Sequence, residues 1–231
     1  MSHPFLATAF LPNWGELTPE HVEADITKAL AGARAAIDAI SAIDAEAPSY
    51  DETFGALEAA VEPVYHAWGK VNHLDSVSNS AELREAINAM LPAVSAFDAS
   101  VPLDENLYGV LARAAEGLGS ESLTPAQRRF VDETLADFRQ QGAELPPEKK
   151  QRLLELKQEL AAKTQKFGEN VLDATNAWEK VIEDESLLAG LPESAKAAAR
   201  QSAASKGYGS DEKPAWRFTL QIPSVLPVLK Y

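Results

Sequence analysis

The sequence predicts a mainly α-helical protein, an antiparallel bundle of about six helices with a small two-stranded β element near the C-terminus. Three observations carry this reading. The 231 residues include 40 alanines against 12 glycines, and alanine is the best helix former and is depleted in strands. Helix-start chemistry recurs along the chain as a capping side chain followed by proline, or by an acidic or amide residue three places on. Between these starts the apolar residues keep steps of three and four, the period of one helical face. The balance of 45% apolar and 24% charged residues is that of an ordinary globular protein, and the length allows one domain or two. We assign residues 1–177 to the helical bundle and 178–231 to a small α/β appendage.

Thr18-Pro19-Glu20 supplies an N-cap with proline at the first helical position. The first helix then carries Val22, Ile26, Ala29, Leu30, Ala33, Ile37 and Ile40 on one stripe and extends to about Ala47, where Pro48 stops it. Ser49 with Glu52 forms a capping box for a second helix to about Ser78, with a kink or break expected at Pro63. Asn79 with Glu82 opens a third helix to about Ser100, again with an internal proline, Pro92. Asp104 caps a short fourth helix ending at Gly117 or Gly119. Thr124-Pro125-Ala126-Gln127 combines N-cap, proline and box-closing glutamine for a fifth, which ends at Gly142. The sixth and longest runs from about Pro147 to about Ala177. Leu153, Leu156, Leu160, Phe167, Val171, Ala174 and Trp178 form a heptad-like seam along it, expected to pack on neighbouring helices.

Beyond Trp178 the period changes. Trp178 to Ile182 and Trp216 to Leu220 alternate as strands do, and between them Leu191-Pro192-Glu193 opens an alanine-rich helix ending at Gly207. Two short strands are marginal alone, so this pair is expected to lean on another element. Pro223-Ser224 starts a last helix, and the chain stops inside an apolar run at Tyr231, which reads as an element cut short.

Charge narrows the function classes. The net charge is −14, with 8 Lys/Arg against 23 Asp/Glu in residues 1–145 and 13 against 12 in residues 146–231. Neither part offers a phosphate backbone a basic surface, which argues against nucleic-acid binding. The acidic part reads as a solubilising surface. No cysteine is present, which removes disulfides, thiolate metal sites and a cysteine nucleophile. No apolar run approaches the ~20 residues that span a bilayer, and Met1 to Ala9 lacks the pattern of a signal peptide. The expected location is the cytoplasm, with no membrane partner.

The residue chemistry offers no catalytic, cofactor-binding or metal-binding set. None of His3, His21, His66 and His73 is followed by glutamate, so the HExxH pattern is absent. Glu62, His66 and His73 are the one grouping with metal-like spacing, and polar or capping roles fit them better because Pro63 disturbs that turn. Gly117-Leu118-Gly119-Ser120 lacks the third glycine and preceding strand of a phosphate loop. Trp14, Trp68, Trp178 and Trp216 read as packing residues rather than a ligand groove. On these grounds the chain is a helical scaffold or binding module.

An ordered set of strings carries a resemblance. They are Phe10-Leu11-Pro12-Asn13-Trp14 with Leu17 to Val22, Asn72 to Val77 with Asn79 to Arg84, Asn170 to Thr175 with Trp178, Leu188 to Ser194, and Phe218 to Ser224 with Leu226-Pro227-Val228. In this order the chain resembles the N-terminal region of the oligopeptidase A and thimet oligopeptidase family of zinc metallopeptidases, which includes peptidyl-dipeptidase. The resemblance covers Phe5 to Tyr231. It implies one N-terminal lobe, a wall of a substrate channel, in an enzyme that hydrolyses short peptides. The HExxH lobe and its zinc would lie outside the matched region, so no catalytic residue carries over. The expected partner is that catalytic lobe. The alternative is a stand-alone interaction module that self-associates through exposed apolar surface or binds and inhibits a peptidase.

Overall fold

The computed structural model describes residues 2–118 and 123–231. It is mostly helical, with eight α-helices and one two-stranded sheet among the described residues. Two compact units divide it, Met1–Ala162 and Lys163–Tyr231. Their boundary falls inside the longest helix, whereas the change of sequence period falls at Trp178.

In the first unit α1 (Pro19–Ser41) packs against α2 (Ala56–Val77), α3 (Ala81–Ser100) and α4 (Glu105–Gly117), and α4 meets α5 (Pro125–Gln140). The stripe read from the sequence is the face α1 buries: Val22, Ile26, Ala29, Leu30, Ala33, Ile37 and Ile40. Phe54, Val64, Val71, Ile87, Phe97, Leu107 and Leu111 complete the core. Caps form where their chemistry stands. Asp104 Oδ1 accepts from the N–H groups of Asn106 and Leu107 at 2.9 and 3.0 Å, and Thr124 and Gln127 exchange both capping-box bonds.

Several boundaries differ from the sequence expectation. α1 stops at Ser41, not near Ala47, because Arg113 of α4 takes the Ile43 carbonyl at 2.7 Å and draws the chain out of the helix. The Ser49–Glu52 box is made, yet it opens a π-helical turn, Asp51–Gly55, before α2. The cap of α3 is Ser80, whose hydroxyl accepts from the Leu83 N–H at 3.2 Å, rather than Asn79. α2 and α3 run unbroken through Pro63 and Pro92. Packing of both helices against α1 outweighs the one backbone bond each proline removes. The α3 segment Ala81–Leu103 is also long and apolar enough to cross a bilayer by length and composition, which the sequence reading did not anticipate. Its Leu83, Ile87, Met90, Val94 and Phe97 are instead the core face of this unit.

The seam of α6 (Pro147–Ala177) is the largest departure. Leu156, Leu160, Phe167 and Val171 are exposed, Phe167 to 69%. Only Leu153, beside Gly142, is half-buried; the rest of the stripe lacks the expected burial.

In the second unit β1 (Glu179–Ile182) and β2 (Trp216–Thr219) pair antiparallel, with Glu179 opposite Thr219 and Ile182 opposite Trp216. The pair leans on α7 (Glu193–Ser205), as a lone ribbon must. Trp216 and Phe218, alternate residues of β2, bury with Leu188 and Ala199. Gly209, at φ +74°, makes the turn into β2; a Cβ there would stand 2.7 Å from the Ala215 nitrogen, so only glycine fits. α8 (Ile222–Lys230) has no fully buried residue; Ser224, Val225 and Pro227 are half-buried.

A charged network ties this unit together. Arg217 Nε donates to Glu179 Oε2 at 2.6 Å and its Nη1 to Ser202 Oγ at 3.0 Å, while the Tyr208 hydroxyl donates to Glu179 Oε1. The Tyr208 hydroxyl, and next the Arg217 guanidinium, hold the Glu179 carboxyl below the usual glutamate range. A carboxyl depressed on folding adds stability above its unfolded pKa of about 4.3, and that stability is lost as pH falls through the lower folded value. Glu179→Gln is therefore expected to lower the Tm at pH 7, and the gap from the parent should narrow as the pH falls below about 4.3. A gap that persists at acid pH would show that packing, not charge, sets this contribution.

Candidate functional site

Asp25 is the least expected feature of the first unit. It lies on the apolar face of α1, between Val22 and Ala29, and is fully buried. A carboxylate there needs partners. Its Oδ2 accepts from the Phe5 N–H at 2.8 Å, and its Oδ1 is 2.7 Å from His3 Nδ1. From α2, Lys70 Nζ donates to the carbonyls of Phe5 and Ala7 at 2.8 and 2.7 Å. Burial pulls the Lys70 ammonium below its ordinary pKa, against the attraction of Asp25. Donor and acceptor thus pin the N-terminal strap to both helices. Sequence reasoning passed over Asp25. The available signal was a carboxylate three residues after Val22 on an otherwise apolar stripe.

Between the strap and α2 lies a groove of about 520 Å³, with Phe10, Trp14, Tyr65, His66, Lys70 and His73 among its walls. Phe10, at the strap's tip, is 97% exposed. Because α2 is intact through Pro63, Glu62 and His66 do share a face, with Glu62 Oε1 at 3.8 Å from His66 Nε2. His73 is not part of that pair: its ring lies 5.0 Å from the ring of Trp14. Among the described residues no three His, Asp or Glu side chains are placed to hold a metal ion. The zinc that the resemblance implies for a complete enzyme has no matching donor set among the described residues. Of the tryptophans, Trp216 is buried and Trp68 packs on the core, whereas Trp14 and Trp178 are exposed. Gly119 and Ser120 of the glycine string fall outside the described residues.

A second cavity, of about 440 Å³, lies in the first unit where α1, α3, the start of α4 and the first turns of α6 meet. Among its polar contacts is Lys150 Nζ to Glu105 Oε1 at 2.9 Å, with Lys150 buried.

The described residues define a mainly α-helical protein whose second unit carries a small two-stranded sheet. Residues 26–150 match the family described as Neurolysin/Thimet oligopeptidase, N-terminal domain. The chain belongs to that family. Within it, the similarity runs to oligopeptidase A. The chain is 39% identical over 231 residues to Oligopeptidase A of Salmonella typhimurium, covering 100% of this chain and 33% of the relative. It is 39% identical over 232 residues to Oligopeptidase A of Escherichia coli, with the same coverage. Identity to the Probable cytosolic oligopeptidase A of Arabidopsis thaliana is 31% over 233 residues, again with 100% and 33% covered. The chain thus spans about a third of the length of the curated relatives it matches.

Proposed function

We propose that this chain is the non-catalytic N-terminal lobe of an oligopeptidase A-like zinc metallopeptidase, forming part of the wall of the substrate channel. The complete enzyme hydrolyses short peptides; zinc and the groups that activate water come from the catalytic lobe, its main partner. The observation that carries this reading is the match along the whole chain to Oligopeptidase A of Salmonella typhimurium, confined to 33% of that protein. A cytoplasmic location accompanies the reading, supported by the cytosolic relative of Arabidopsis thaliana. The test is a fluorogenic peptide assay with added zinc. The chain alone is expected to show no turnover, and co-expression with the remaining two thirds of the Escherichia coli enzyme is expected to restore it. Turnover by the chain alone that survives repurification and is abolished by a chelator would overturn the proposal.

One observation favours a second reading, a self-associating interaction module. Phe167, Val171, Ile222 and Leu229 are all exposed in the second unit, and large exposed apolar surface marks interaction sites. Light scattering separates the readings: a concentration-dependent dimer supports this one, and a strict monomer removes it.

A further inference from the structure

The second unit, Lys163–Tyr231, exposes more large apolar side chains than it buries. Three are buried, Leu188, Trp216 and Phe218, whereas eleven are exposed. A unit of this size gains little from so small a core. The exposed residues form stripes. On α6, Phe167 and Val171 stand four apart on one face. On α8, Ile222, Leu226 and Leu229 keep steps of four and three, which puts them on one side of that helix. The half-buried side of α8 meets α7 and β2, where the Ser224 hydroxyl accepts from the Thr219 N–H at 2.9 Å. Gln221 Nε2 donates to Asn176 Oδ1 at 2.9 Å, so the start of α8 lies beside the end of α6. A helix of 9 residues is not stable alone in water, and no residue of α8 is fully buried to hold it.

We propose that Phe167 and Val171 of α6, with Ile222, Leu226 and Leu229 of α8, form the surface on which the remaining part of a longer oligopeptidase A-like chain docks. The proposal rests on the peptidase reading above and adds to it the surface through which the two parts meet. Exposed apolar surface of this extent marks an interaction site. Its occupant follows from the comparisons. In Oligopeptidase A of Salmonella typhimurium and of Escherichia coli the matched stretch is 33% of the protein. The rest of such a chain is tethered to this lobe and therefore present at high effective concentration. A second copy is the poorer fit. Lys163–Tyr231 holds nine Lys/Arg and nine Asp/Glu, so the net −14 belongs to residues 1–162. A second copy brings another −14, and like charges oppose association. The docking part is apolar opposite these five side chains, because a charge buried against them would have no partner.

The test compares this chain alone with a full-length fusion in which it replaces the matched third of Escherichia coli Oligopeptidase A. Amide hydrogen exchange in α8 and at residues 166–171 of α6 is expected to slow at least tenfold in the fusion. Phe167→Ser and Ile222→Ser should leave the Tm of the chain alone within ~2 °C, since both side chains are exposed. The same substitutions should lower the Tm of the fusion by at least ~5 °C. Phe10→Ser, at an exposed position of the first unit, should change neither. A fusion that hydrolyses peptides yet shows no slower exchange and no added sensitivity to the two substitutions would overturn the docking surface and leave the peptidase reading standing. A fusion that neither folds nor turns over peptide would overturn both. Sedimentation of the chain alone tests the other occupant: a dimer abolished by both substitutions, with exchange in the fusion unchanged, would give the face to a second copy and overturn the proposal. Should a variant fail to fold, the exchange comparison on the parent chain and its fusion still decides.

Discussion

Replacing Asp25 with alanine is expected to destabilise the protein by about 3 kcal/mol. Two losses add. The charge-assisted bond to the Phe5 N–H disappears, and with Phe5 wholly buried that N–H has no route to water. The ammonium of Lys70 also loses the one carboxylate that the structure sets against its burial. At ~2–4 °C per kcal/mol for a chain of this size, the Tm should fall by about 6–12 °C. Asp25→Asn keeps one acceptor oxygen and removes the charge, so its cost should be about half. His3→Ala should cost less than ~1 kcal/mol, because His3 is partly exposed and Asp25 keeps its backbone donor. Thermal unfolding of the three variants checks the order. If Asp25→Ala unfolded within a degree or two of the parent, the strap would not be held by this carboxylate. The groove it forms with α2 would then need another explanation.

The same residue shows where the amino-acid sequence is informative and where it is not. Apolar spacing names the buried face of α1, and cap chemistry locates the start of α4 and α5, because both depend on residues within one or two turns of each other. Asp25 escapes that reading. Its partners are His3, Phe5 and Lys70, the last 45 positions away, and a periodic scan registers only a polar residue on an apolar face. The end of α1 is lost for a related reason: the Arg113 side chain that takes the Ile43 carbonyl comes from another helix, 70 residues on. Pro63 and Pro92 mislead in the opposite direction. Local rules overstate a proline's power to break a helix when α2 and α3 each have a full apolar face packed on α1. The α6 seam is legible as a stripe from Leu153 to Trp178, but a period only says that a face is apolar. It does not say what covers it.

Phe54→Ala is expected to have the other large effect, about 3–5 kcal/mol. The side chain is fully buried and stacks on Tyr50 with centroids 6.2 Å apart. It lies in the π-helical turn that leads into α2, where the Gly55 N–H reaches back to the Tyr50 carbonyl at 3.0 Å. Such a turn is an uncommon conformation held by its surroundings. The Thr53 hydroxyl bonds the Ser49 carbonyl at 2.7 Å and the Ser49–Glu52 box closes the outer side, but these local bonds do not anchor the turn to the bundle. Phe54 does, so its truncation removes a buried ring and also loosens the entry to the helix that carries Lys70 and the groove. Phe54→Leu keeps most of the volume and should cost under ~1.5 kcal/mol. Urea unfolding separates the two contributions. Simple loss of packing lowers the midpoint and leaves the slope unchanged, whereas a turn already open in the native state lowers the slope as well. A reduced slope in Phe54→Ala, absent in Phe54→Leu, is the expected pattern, because only the alanine variant lacks the ring's contact between the turn and the core. Equal midpoints for both variants would mean that the turn is held by its own hydrogen bonds.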